Sequence, residues 1–121
     1  MFSVVVETHF WSSHRLTLPS GAKEPLHRHN WAVTAQVASS RLNDTGLVMD
    51  FRRLRQLIRD IVAELDNEDL RKLEFFRRNN PSAENVAKFI YEELKPKLPE
   101  GVRLDRVRVV EEPGCSAEFG V

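Results

Sequence analysis

Three of the chain's four histidines fall in two short stretches, Ser12-Ser13-His14-Arg15-Leu16 and Leu26-His27-Arg28-His29-Asn30. Histidines at i and i+2 point to the same face of an extended strand. If that strand pairs with the one carrying His14, then His14, His27 and His29 converge on one point. Three neutral imidazole nitrogens suit Zn²⁺ and leave a fourth position open for water or substrate, as in a catalytic rather than a structural zinc site. A lone His-x-His pair is weak evidence. Three histidines at the ends of two strands placed to pair make a metal site the better reading.

The elements that must hold these rings follow from the patterning. Phe2 to Phe10 alternates, with Phe2, Val4, Val6, Thr8 and Phe10 on one face, and His14 shares their parity. Thr17 to Pro25 is rich in Pro, Ser and Gly and reads as a loop. A second strand runs from His27 to Ser39, with His27, His29, Trp31, Val33, Ala35 and Val37 on one face. Asp50 suits the N-cap of a helix over Phe51 to Leu65, where apolar residues recur at three and four. Asp66 to Pro81 is polar and reads mainly as a loop. Ser82 caps a second helix from Ala83 to about Leu94, which Pro96 and Pro99 stop. Val102 to Glu111 forms a third strand. There Glu111 shares the parity of Val107 and Val109 and faces the covered side, where a carboxylate needs partners or a ligand. Ala117, Phe119 and Val121 suit a short fourth strand. The order ββααββ predicts an α+β fold, a four-stranded antiparallel sheet with two helices on one face. Its open edges favour pairing between copies.

At 121 residues the chain reads as one domain, 1–121. Its formal net charge of zero argues against nucleic acid or an anionic membrane as the main partner. No apolar run approaches the ~20 residues of a membrane span, and the start lacks the pattern of a signal peptide. The single cysteine, Cys115, cannot form an internal disulfide, so a cytoplasmic setting is expected.

The chain resembles the 6-pyruvoyltetrahydropterin synthase and 6-carboxytetrahydropterin synthase family over nearly its whole length. The residues that carry the resemblance are Phe10-Trp11-Ser12-Ser13-His14-Arg15-Leu16, His27-Arg28-His29-Asn30, Gly46-Leu47-Val48-Met49-Asp50-Phe51, Leu65-Asp66, Asn80-Pro81-Ser82-Ala83-Glu84-Asn85 and Val110-Glu111-Glu112-Pro113. The resemblance implies the tunnelling fold, with trimeric barrels stacked into hexamers and pterin sites between subunits. It also implies zinc held by His14, His27 and His29, and a pterin anchored by Glu111. A carboxylate can accept two parallel hydrogen bonds from the pterin's amino group and ring N–H.

The departures bear on the reaction. Arg28 stands where the family's His-Gly-His motif has glycine. The usual cysteine a few residues before the His-x-His pair is absent, and Lys23, Glu24 and Pro25 stand there instead. The family's Asp-His pair appears as Asp66-Asn67, and asparagine cannot act as a general base near neutral pH. Similar members that carry a glutamate in place of the cysteine are linked to cleavage of the dihydroneopterin side chain. On that resemblance Glu24 is the expected proton-transfer group, with Asp66 a further catalytic residue. The expected function is therefore a zinc-dependent lyase that cleaves 7,8-dihydroneopterin or its phosphates to 6-hydroxymethyl-dihydropterin. The alternatives are triphosphate elimination to a 6-pyruvoyl or 6-carboxy pterin, a non-catalytic pterin or purine binder, and a purely structural assembly protein.

Overall fold

The structure is a computed structural model that describes residues 1–121. Strand β1 (Phe2–His14) buries Val6, Thr8, Phe10, Ser12 and His14, exposes Glu7, His9 and Trp11 between them, and half-buries Ser13. Strand β2 (His27–Ser39) buries Trp31, Val33, Ala35 and Val37 on the same side. The two pair antiparallel along their full length, from Phe2 opposite Ser39 to His14 opposite His27. The first strand thus runs four residues past Phe10, because cross-strand pairing with β2 continues to His27. The intervening loop closes with a bridge between Thr17 and Lys23.

Helix α1 (Phe51–Val62) starts at Asp50, whose side chain accepts from the Arg52 N–H. Leu54, Leu57, Ile58, Ile61 and Val62 are buried, and a buried Leu or Ile contributes about 1.5–3 kcal/mol over an exposed one. The helix ends short of Leu65. The next residues turn, and Asn67 adopts a left-handed φ of 60° before the chain reaches a two-residue strand, β3 (Glu68–Asp69). β3 pairs parallel with Ser12 and Ser13 of β1. A 3₁₀ turn over Leu70–Lys72 and a one-turn helix α2 (Glu74–Arg78) follow. The polar stretch expected as loop therefore carries short structure, anchored by buried Leu70 and Phe76.

Helix α3 (Ala83–Leu94) is capped by Ser82, which accepts from the Asn85 N–H. Strand β4 (Arg103–Glu112) pairs with β2, and a Pro113-Gly114 turn leads into β5 (Cys115–Gly120). The sheet order is β3-β1-β2-β4-β5. The four antiparallel strands and two long helices are those the patterning predicts, with β3 added at one edge. Gly120 sits where a Cβ would run into the carbonyl of Asp105, so the β4–β5 pairing requires a glycine. The core of both helices and the inner sheet face ends at Phe10 and Trp31, which stack with centroids 5.8 Å apart. The three imidazoles lie just beyond them.

Candidate metal centre

His14 and His27 face one another across the β1–β2 ladder, and His29 is opposite Ser12. Directly paired residues on one face of an antiparallel ladder, and their diagonal neighbours, are within reach of one another. The ring centroids accordingly lie 4.4 Å (His14–His27), 5.5 Å (His14–His29) and 4.6 Å (His27–His29) apart. Trp31 forms the floor, 5.0 Å from the His14 ring, and donates its indole N–H to the Ser12 carbonyl. The fourth histidine, His9, is exposed on the opposite face.

Two backbone carbonyls orient the rings. His14 Nδ1 donates to the Pro81 carbonyl at 2.7 Å, and His27 Nδ1 to the Pro25 carbonyl at 3.0 Å. Each bond leaves the lone pair on Nε2, which is how metal-binding histidines are commonly held. Burial keeps the His29 imidazole below its ordinary value of 6.5; Glu111 opposes this, while His27 and His14 reinforce it. A ring held neutral keeps its ligand lone pair at neutral pH.

Glu111 reaches the same point from β4. It falls where the β4–β5 register shifts between Val110 and Glu112, and such a bulge re-aims a side chain. Its Oε1 lies 2.6, 3.6 and 3.4 Å from the Nε2 atoms of His14, His27 and His29. The four ligand atoms all lie within 4.8 Å of one another. Ligands about 2.0–2.1 Å from a tetrahedral zinc stand about 3.3–3.4 Å apart, so this spacing is near that of a coordination shell. His14 Nε2 is fully buried and makes no hydrogen bond, despite its short approach to Glu111. Two lone pairs that close require a cation or a proton between them. The donor set and this orphaned nitrogen fit a divalent cation such as Zn²⁺.

The carboxylate expected to reach a pterin ring thus stands among the imidazoles. Glu24 lies at the rim: its Oε1 accepts the Leu16 N–H at 3.0 Å and stands 3.9 Å from His27 Nε2. Asp66 is not brought to the cluster. It accepts the Trp11 N–H at 2.9 Å, at the edge of β1 and about 10 Å along the strand from His14. Asn67 donates its N–H to the Trp11 carbonyl and accepts from Arg28, whose guanidinium lies 4.9 Å from the Trp11 ring centroid. Arg28 therefore faces away from the imidazoles, which is how a strand accommodates it between two histidines. Sequence reasoning missed the Pro81 and Pro25 carbonyls, because backbone acceptors leave no residue-type signature.

The family model described as 6-pyruvoyl tetrahydropterin synthase matches residues 3–120. A dihydroneopterin monophosphate aldolase from Pyrococcus furiosus is 35% identical over 98 residues, covering 81% of this chain and 77% of that protein. A 6-carboxy-5,6,7,8-tetrahydropterin synthase from Rickettsia bellii is 27% identical over 128 residues, covering 90% and 93% of the two. Among solved structures, Caenorhabditis elegans 6-pyruvoyl tetrahydropterin synthase superposes with a TM-score of 0.86 at 21% identity, over 99% of this chain and 95% of that one. The fold is therefore the tunnelling fold of those enzymes, and the chain belongs to the 6-pyruvoyl tetrahydropterin synthase family.

Proposed function

We propose that this chain is a zinc-dependent lyase that cleaves the side chain of a dihydroneopterin compound, giving 6-hydroxymethyl-dihydropterin. The observation that carries the reading is the position of Glu24, a carboxylate fixed by the Leu16 N–H at the rim of the imidazole cluster. It stands where the common family members have a cysteine. The relative named dihydroneopterin monophosphate aldolase supports the same reaction. His14, His27 and His29 would hold the zinc ion, which supplies a Lewis acid that eases ionisation of a substrate hydroxyl.

Glu24 acts as the general base toward the C2′ hydroxyl and returns the proton to C1′ after the C1′–C2′ bond breaks. Glu111 binds substrate beside the reacting side chain rather than at the far end of the ring, since its Oε1 is already among the ligand nitrogens. Asp66 acts through Trp11, whose strand position it holds, and is a positioning residue within its own chain. The clefts of a single chain do not take in the three imidazoles, which supports a pocket completed by a second copy.

The test is to incubate zinc-loaded protein with dihydroneopterin, its monophosphate and its triphosphate, and to identify the products. 6-Hydroxymethyl-dihydropterin with glycolaldehyde or its phosphate supports the lyase. Release of triphosphate would instead favour the second reading, elimination chemistry, which the Rickettsia bellii relative's name supports. Tight pterin binding with no turnover would leave a non-catalytic binder.

A further inference from the structure

The loop between β1 and β2 carries Glu24, yet no apolar packing holds it in place. From Thr17 to Leu26 every residue is exposed except Glu24, which is half-buried. Leu18 and Leu26, its largest apolar side chains, leave 41% and 44% of their surface in solvent. A segment with so few buried contacts opens easily unless hydrogen bonds restrain it. The loop's internal bonds give it a shape. Leu18 donates its N–H to the Ala22 carbonyl at 2.7 Å, and Gly21 to the Leu18 carbonyl at 2.8 Å. Glu24 donates its N–H to the Leu16 carbonyl at 3.1 Å, and the Leu16 N–H donates to Glu24 Oε1 at 3.0 Å. These bonds tie Glu24 to Leu16, but they do not set where the loop stands against the rest of the fold.

Asn80 does. Its side-chain amide takes both backbone groups of Thr17: Oδ1 accepts the Thr17 N–H at 2.9 Å, and Nδ2 donates to the Thr17 carbonyl at 3.0 Å. An amide can do this because it carries an acceptor and a donor side by side, as a neighbouring strand does. Asn80 is itself fixed. Its carbonyl accepts the Ser82 N–H at 2.7 Å and Asn85 Nδ2 at 2.8 Å, both from the start of α3. Pro81 sets the next φ and keeps Asn80 out of the helical region. The Pro81 carbonyl also holds His14. The carboxylate at the rim, 3.9 Å from His27 Nε2, and the His14 ring are thus registered to one frame.

We propose that Asn80 is a positioning residue for Glu24. Its two bonds to Thr17 hold the loop so that the carboxylate stays at the rim of the imidazole cluster. The inference rests on the lyase reading above, in which Glu24 moves the proton. Asn80 acts through the backbone of Thr17 and Leu16, and the reaction feels it because a misplacement of about 1 Å at a proton-transfer group costs up to about a hundredfold in rate.

The experiment compares zinc-loaded wild type, Asn80→Ala, Glu24→Gln and the double variant. Steady-state kinetics on dihydroneopterin and its monophosphate, zinc content by mass spectrometry and hydrogen–deuterium exchange are read for each. Asn80 is exposed, so its truncation opens no cavity in the core. Asn80→Ala should speed amide exchange across residues 16–24 about tenfold, the worth of its lost hydrogen bonds. It should lower kcat about ten- to a hundredfold with KM within about twofold, and leave zinc content unchanged. In the Glu24→Gln background the same change should move kcat by less than about twofold, because the group it positions is already gone. Wild-type kcat in Asn80→Ala overturns the inference. An equal fall in the Glu24→Gln background also overturns it, since Asn80 then acts elsewhere. Loss of zinc together with kcat overturns it too, by routing the effect through His14. If wild type turns over neither compound, the lyase reading fails separately. The exchange arm then decides the role of Asn80 alone: unchanged protection of residues 16–24 in Asn80→Ala overturns it, and faster exchange upholds the hold on the loop.

Discussion

Adding and withdrawing zinc, and removing one proposed ligand, tests the candidate metal centre directly. His29 is the ligand to change. His14 is wholly buried and holds the Pro81 carbonyl, so its loss would leave a cavity and an orphaned acceptor. His29 keeps 18% of its side chain exposed, and its truncation costs the fold little. A ligand that binds only the folded state stabilises it by about 2.7 kcal/mol at a hundred times its Kd. For a chain of 121 residues, 1 kcal/mol moves the melting temperature by about 4 °C. Chelator-stripped protein given zinc at that ratio should therefore melt about 10 °C higher. Loss of one of three imidazoles that weakens binding a hundredfold leaves about 0.4 kcal/mol at the same zinc concentration, a shift of about 2 °C. Differential scanning fluorimetry reads both, with elemental analysis for stoichiometry. An unmoved wild-type melt, or a folded His29→Ala variant that keeps the full shift, would refute the coordination argument.

Glu24→Gln should lower kcat by about 10²–10⁴ while zinc content, read by mass spectrometry, stays unchanged. Gly120→Ala should destabilise by about 1–3 kcal/mol in urea titration, because the new Cβ meets the Asp105 carbonyl across the β4–β5 ladder. Ser82→Ala removes the cap of α3 and should cost about 1 kcal/mol, or about 4 °C of melting temperature. Hydrogen bonds from Arg71 hold the Asp69 carboxyl below its ordinary value of 3.8. Its folded form thus binds the proton less readily than the unfolded chain. The stability this supplies is full above about pH 4 and fades as pH falls through the lowered folded value. Urea titrations of wild type and Asp69→Asn should accordingly differ by a constant amount at neutral pH and converge in acid.

The convergence of the three histidines could be read from residue type and parity alone because a strand repeats every two residues. Once β1 and β2 pair, His14, His27 and His29 have one face open to them. The parity of Glu111 likewise predicted its covered side. What parity could not supply was its destination, since the bulge that aims it depends on the register between β4 and β5. The helices followed from apolar recurrence at three and four, with Asp50 and Ser82 as caps. Residues 66–81 escaped because β3 and α2 are too short to show a period. They are specified by tertiary contacts, with Leu70 and Phe76 as anchors and the parallel pairing to Ser12 and Ser13. Asp66 and Glu24 looked alike as acidic residues near family motifs. Only the hydrogen bonds to Trp11 and Leu16 separate a group at the far edge of β1 from one at the rim of the imidazoles.

Pro81 links two parts of the molecule that function would otherwise keep apart. Its carbonyl clamps the deepest imidazole, and the very next residue, Ser82, begins a helix. Thermal fraying of that opening turn would release the ring as well as the backbone. Grip on a cation there and integrity of the helix start should therefore rise and fall together, so that a bound ion would act as a mechanical pin for a segment remote from the sheet in sequence.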